Sequence, residues 1–291
     1  MRIDRIIAFV LSLATSAMLN GCSGDGSRAQ DPVQPRSESS GIRLTTLVYD
    51  TRDPLSRRLD DPETEVNRLI DSLSTMGDSP SEFTRNAWMA DGVRLFVAPT
   101  EQVAEMLNQF RPCRPLQRLH FGEMLKPTPI YSGPFTDRDV RLKREDEILT
   151  LPGGMLRLFA RCYGVPGELA EDATPRPAIR LDLSLQHADP SLMTTAASNP
   201  FEPSRDVRPE EQGGFFRTLD FSIDLNPSMT IVLMNRTEEQ SPSAVEVRGP
   251  TPPLLPTVGE ILLTDFETLP RPLLRTIIVI EAVTPRASTL R

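Results

Sequence analysis

The sequence predicts an α+β chain: a small α/β two-layer domain over residues 42–126, followed by a mainly antiparallel β domain over 127–291. Three observations carry that prediction. Helix-spaced apolar residues alternate with short β-branched runs in the first part, period-two alternation replaces them in the second, and 28 prolines interrupt both, which leaves little room for long helices.

Ahead of these domains, MRIDR leads into an uncharged run from Ile6 to Leu19. About 14 residues rising 1.5 Å each cover roughly 21 Å, short of the roughly 30 Å of bilayer hydrocarbon. Residues 1–21 therefore read as a cleaved export signal and not as a membrane span. Residues 22–41 are Ser, Gly, Pro, Gln and charge, with Val33 the one aliphatic side chain before Gly41 larger than alanine. Such a segment cannot build a core. It reads as a disordered tether, about 19 residues with a root-mean-square reach of roughly 24 Å.

The first domain opens with GIRLTTLVYD (41–50), β-branched and apolar enough for a strand. Asp61 then caps a helix with Pro62 at its first position, and Val66, Leu69, Ile70, Leu73 and Met76 keep helical spacing until Gly77. A second short helix spans Pro80 to Ala90 with Phe83, Ala87 and Trp88. After Asp91-Gly92, VRLFVAP is a strand stopped by Pro99, and Thr100 caps a helix carrying Val103, Met106, Leu107 and Phe110. Helices of this kind cover one face of a sheet.

In the second domain Leu156, Leu158, Ala160 and Cys162 alternate with Arg157 and Arg161, and Ile179, Leu181, Leu183 and Leu185 alternate with Arg180, Asp182, Ser184 and Gln186. Leu219, Phe221, Ile223 and Leu225 repeat the period, Asn226-Pro227-Ser228 supplies a turn, and MTIVLMN returns as the paired strand of a hairpin. LLRTIIVIEAV (273–283) is apolar on both faces, as a central strand requires. Residues 164–177 and 188–212 read as long loops.

Little in the chain points to chemistry. The formal charge of −8 becomes one unit more negative when residues 1–21 leave with Arg2, Arg5 and Asp4, which argues against nucleic acid and anionic headgroups as partners. Aromatic residues make up 5% of the chain, scant material for stacking on sugars. No G-x-S-x-G, phosphate loop, dinucleotide fingerprint or EF-hand loop is present. His120 and His187 are the only histidines, and with Cys113 and Cys162 they give spacings wider than zinc pairs use. Glu210-Glu211 and Arg144-Glu145-Asp146 read as solvated turns. No catalytic, cofactor-binding or metal-binding residue is assigned, and no cofactor is expected. Cys113 and Cys162 form an even pair in an exported chain, which suggests a disulfide worth about 4 kcal/mol. Two separate buried thiols are the other reading.

Two stretches resemble known families. Leu19, Asn20, Gly21 and Cys22 resemble the lipobox of bacterial lipoproteins, and the resemblance implies that Cys22 becomes the first residue of the mature chain and carries acyl chains such as palmitate. Ser23, where aspartate would retain a lipoprotein in the inner membrane, implies the outer membrane, facing the periplasm. From Arg217 to Arg286 the succession RTLDFSIDLNPSMTIVLMN, LPTVGEILL and IIVIEAVTPR resembles the end of the secretin C-domain. The secretin GGL is replaced by Leu233, Met234 and Asn235, and long amphipathic hairpins are absent. The resemblance thus implies a secretin-like domain without a channel and lends no catalytic residues. The expected function is a non-enzymatic envelope lipoprotein that binds or scaffolds an envelope protein partner. One alternative is a periplasmic hydrolase with a scattered active site, which needs His120 or His187 beside a carboxylate and a nucleophile. The other is a carrier of apolar ligands, which needs an enclosed cavity.

Overall fold

The computed structural model describes residues 39–56, 62–74, 81–144, 147–169, 175–189, 208–235, 255–265 and 274–284, all within one unit, Ser37–Arg291. The export signal, Cys22, nearly all of the tether, the middle of the 188–212 loop, Asp61, Glu145 and Asp146 lie outside the described residues.

Thirteen strands and four α-helices are formed by these residues. In chain order they are β1 (Gly41–Asp50), α1 (Pro62–Ser74), α2 (Glu82–Ala90), β2 (Val93–Pro99), α3 (Thr100–Leu107), β3 (Gln117–Gly122), β4 (Met124–Thr136), β5 (Val140–Arg144), β6 (Glu147–Leu151), β7 (Gly154–Leu169), β8 (Pro175–Ala188), β9 (Gly213–Phe215), β10 (Phe221–Leu225), β11 (Met229–Asn235), α4 (Val258–Leu263), β12 (Thr264–Asp265) and β13 (Leu274–Val283). Among the described residues the protein is therefore mostly β, with about 60% strand against 20% helix and antiparallel sheets. This corrects the α+β expectation. The three expected helices do form, but they are short, whereas the chain between residues 117 and 188, with its prolines, builds mostly strands.

One sheet has the order β2-β11-β13-β1-β3, with β12 also on β13, a second has the order β10-β8-β7-β4, with β9 also on β8, and β5 and β6 form a separate two-stranded sheet. The apolar run of β13 lies between β1 and β11, a central position that leaves no face for polar side chains. The first sheet draws β1, β2 and β3 from before residue 126 and β11, β12 and β13 from after it, so a cut at that point would divide a hydrogen-bonded sheet. Leu44, Leu95, Leu233, Ile278 and Ile280 of this sheet share one buried cluster with Leu156, Leu158, Leu181, Leu183 and Leu185 of the other, so the two sheets face each other across it. Trp88 of α2 and Ile261 and Leu262 of α4 join the same core. On its opposite face the first sheet buries Leu47, Phe96, Val232, Ile277 and Val279 against Val66 of α1 and Val103 and Met106 of α3. The architecture is a sandwich with helices over one sheet.

Three local expectations change. The segment 219–235 is no hairpin: β10 pairs with β8 and β11 with β2 and β13, so the Asn226 turn carries the chain from one sheet to the other. Residues 164–169 and 175–177 are strand, extending the β7–β8 ribbon to Leu169 opposite Pro175, with Pro166 opposite Pro177. Proline lacks an amide to donate, so it belongs at ribbon edges, and its presence hid the strand. Thr100 opens α3 without capping it by a side-chain bond. Its hydroxyl instead lies 2.9 Å from that of Thr230.

Candidate functional site: a cleft and a free edge

Along β1 the inward register runs Ile42, Leu44, Thr46, and along β13 it runs Ile280, Ile278, Thr276. The apolar core of the sandwich therefore gives way to hydroxyls at one end. A cleft of about 350 Å³ opens there, lined by Thr46 and Val48 of β1, Thr276 of β13, Thr264 of β12 and the Tyr131–Pro134 stretch of β4, with Arg114, Pro115 and Gln117 at its mouth. The register of β4 against β7 slips between Pro129 and Tyr131 and again between Ser132 and Phe135. Bulges bend the strand that carries them, and the second falls on the cleft wall. Thr46, Thr264 and Thr276 are buried at the floor, whereas Arg114, Gln117 and Ser132 are exposed. The Thr264 hydroxyl, 2% exposed as a residue, has no hydrogen-bond partner. None of the lining residues is an acid, a histidine or a cysteine, so the lining supplies donors and acceptors without a proton carrier poised near neutral pH. The cleft is open and of mixed polarity, with Val48, Pro115, Tyr131 and Pro134 beside the threonines, whereas a carrier of apolar ligands requires an enclosed cavity.

Beside the cleft mouth lies β3, which among the described residues pairs only with β1. Gln117–His120 are exposed, and Leu116, Leu119 and Leu125 leave 43%, 50% and 72% of their surface in solvent. The stretch 111–126 also carries Arg114, Arg118 and Lys126 against one acid, Glu123, while its fourth cation, Arg111, is ion-paired with Asp53. An acidic protein thus presents a basic, apolar strand edge.

The residues singled out from sequence lie apart. His120 sits on exposed β3 with Nε2 3.4 Å from the Ser39 hydroxyl. His187 is buried, its Nε2 2.9 Å from the Pro152 carbonyl oxygen. No described contact sets either beside a carboxylate and a nucleophile. Cys113 and Cys162 are free thiols, which corrects the disulfide expectation. Cys113 donates to the Val48 carbonyl and Cys162 to the Gly122 carbonyl. Gly122 pairs with Gly41, so the two sites lie about seven residues, roughly 23 Å, apart along β1. A disulfide needs Cα atoms within about 7 Å. Burial pushes the Cys162 thiol above its ordinary pKa. No group of three or more His, Cys, Asp and Glu side chains converges among the described residues, and Glu210 and Glu211 lie in a 3₁₀ turn.

A polar lattice covers part of the outer face of the second sheet. Asp182 accepts from Arg161 at 2.8 and 2.6 Å and from the Ser222 hydroxyl at 2.6 Å, and Arg180 donates to Asp224 at 3.0 Å. Burial alone would raise the Asp182 pKa, but the Ser222 and Arg161 hydrogen bonds and the guanidinium charges outweigh it and hold the carboxyl below its usual range. A carboxylate so stabilised is a poor base for the serine it contacts.

Sequence reading missed the cleft. The readable signal was threonine in otherwise apolar inward registers, at 46 and 276. What was not readable is that β3, β4 and β12 would meet those threonines. Compared with protein-family models, curated proteins and solved structures, the chain matches none.

Proposed function

We propose that the protein is a non-enzymatic binding module of the bacterial cell envelope, held by acyl chains on Cys22, on the periplasmic face of the outer membrane, and docking an envelope protein partner along β3. The observation that carries the reading is the β3 edge, which has no further strand beside it among the described residues. An unpaired strand edge adds an extended segment through main-chain hydrogen bonds. The exposed leucines add apolar surface, and Arg114, Arg118 and Lys126 select a segment that is acidic as well as apolar. The placement of His120 and His187 supports binding over hydrolysis. We also propose that the domain is secretin-like without a channel: α4 packs on β11 and β13, so the three segments of the resemblance lie close together.

The test places a photo-crosslinking residue at position 118 of the full chain in its native envelope and sequences the adduct. A discrete adduct to an extended acidic and apolar segment, reduced at least tenfold in a Leu119→Asp background, is the expected result. A basic or helical contact segment, no adduct, or indifference to Leu119→Asp overturns the proposal.

A further inference from the structure

We infer that the β5–β6 hairpin is a flap, hinged where Thr136 meets Gly154 and latched to the body by the Asp91 carboxylate, which opens more readily as Asp91 ionises. The flap shares no residue with the β3 edge and stands apart from partner docking there.

The first ground is how the hairpin is attached. Among the described residues β5 and β6 pair only with each other. The chain leaves the body after Thr136 and rejoins it at Gly154, and these two residues face each other at the end of the β4–β7 ladder. The neck is narrow: a Cβ on Gly153 would lie 2.8 Å from the Thr136 carbonyl oxygen. A hairpin joined through one such point can swing while both large sheets stay paired.

The second ground is what holds the hairpin shut. Toward the body, β5 donates two backbone N–H groups, from Arg141 to the Pro256 carbonyl oxygen at 2.8 Å and from Lys143 to Asp91 Oδ1 at 2.6 Å. A side-chain carboxylate thus stands where a neighbouring strand would offer a carbonyl. Val140 and Leu142 are buried on the inner face, and Leu149 and Leu151 opposite them pack against the same core. Apolar burial therefore favours the closed flap at any pH, and the latch sets by how much.

The third ground is Asp91 itself. It is 2% exposed and its Oδ2 has no partner, so ionisation puts charge on an oxygen that neither water nor a donor relieves. Charged side chains on the elements around it are Arg141 and Lys143 of β5, Glu147 of β6, Glu260 of α4, Arg94 of β2 and Arg85 of α2. Glu260 accepts from Thr257, and Arg94 pairs with Asp71. The Lys143 N–H and the Arg141 and Lys143 charges favour the ionised form, but burial outweighs them and raises the Asp91 pKa from 3.8 to about 6. Opening returns the carboxyl to water and to its ordinary value. The closed form binds the proton more tightly, so its advantage is full below about pH 4 and is lost as pH rises through 6. A difference of about two units shifts the ratio of open to closed flap by up to roughly a hundredfold.

The test follows hydrogen exchange by mass spectrometry on the full-length chain in detergent micelles from pH 4 to pH 8, each rate divided by the intrinsic rate at that pH. Peptides covering 140–151 should be less protected than those covering β13, the mark of a flap that opens without the rest of the fold. Their protection should fall at least tenfold from pH 4 to pH 8. In Asp91→Asn, which keeps the acceptor for Lys143 and cannot ionise, the fall should shrink below threefold. Hairpin protection equal to that of β13 at every pH, or protection that does not change with pH, overturns the inference on the unsubstituted chain alone. A fall that persists in folded Asp91→Asn overturns it as well. None of these outcomes bears on the β3 crosslink.

Discussion

Asp91 is a carboxylate set where ionisation is costly. It follows α2, is 2% exposed, accepts from the Lys143 backbone N–H at 2.6 Å through one oxygen, and leaves the other oxygen without a partner. Burial raises its pKa to about 6, against smaller opposing effects of the Lys143 bond and the nearby Arg141 and Lys143 charges. A raised carboxyl pKa means that the folded state binds the proton more tightly than the unfolded state. Stability from this group is therefore greatest below about pH 4, is lost as pH rises toward 6, and stays lost above that. About two pKa units correspond to roughly 3 kcal/mol. Asp91→Asn keeps the acceptor for Lys143 and removes the charge, so it should stabilise the protein by about 1–3 kcal/mol at pH 7 and by little at pH 4. Urea midpoints of the two proteins across pH 4–8 check this, and a variant less stable at pH 7 than its parent would contradict it. The same corner constrains its glycines. Gly92 adopts φ +81, and a Cβ on Gly259 would press into the Gly92 carbonyl. Gly259→Ala should cost about 2 kcal/mol or more, read from the same midpoints. The Asp91-Gly92 turn was visible in the sequence, but its packing under α4, some 165 residues later, follows from tertiary contact alone.

At the scale of elements, strands that bury one or both faces were legible and strands at edges were not. Cys162, Leu158 and Leu156 on β7 and Leu181, Leu183 and Leu185 on β8 point into a single core, so water exclusion writes a period of two into the sequence. Residues 117–136, by contrast, form β3 and the bulged β4, with Pro127, Pro129 and Pro134 inside the strand and most side chains of the β3 edge in water. Burial picks out only scattered residues here, such as Ile130 and Thr136, so no continuous alternation marks them. Pairing partners were also hidden: the turn at Asn226 fixes a reversal, but which sheet the next strand joins depends on contacts far along the chain. These differences set the expected mutational costs. Ile278 and Ile280 on central β13 are fully buried between layers, and Ile278→Ala or Ile280→Ala should cost about 2–5 kcal/mol. Leu119→Ser on the β3 edge and Leu125→Ser on the exposed start of β4 should stay within about 0.5 kcal/mol. Equal losses at edge and centre in chemical denaturation would contradict the assignment of β3 as a free edge.

For the whole molecule the proposed envelope location poses the question of what would hold an acidic body at a membrane. A net charge of −8 repels anionic headgroups, and no helix among the described residues is long and apolar enough to cross a membrane. The proposed lipid on Cys22 answers this without any help from the folded body. Each buried CH₂ contributes about 0.8 kcal/mol, so one acyl chain holds marginally whereas two or three hold stably. Two consequences follow that depend on different links. Cys22→Ala should move the protein from the membrane fraction to the soluble fraction while leaving the urea midpoint of the body unchanged, because no stability is assigned to the anchor. Mass spectrometry of the native protein should find an N-terminal peptide beginning at Cys22 and carrying at least two acyl chains. An intact Met1 terminus, a bare Cys22 peptide, or an unchanged membrane fraction in Cys22→Ala would each refute the anchor. An unaltered β3 crosslink in the released protein would then show that docking needs the edge alone, whereas its loss with the fold intact would show that the lipid supplies the local concentration on which a weak edge contact depends.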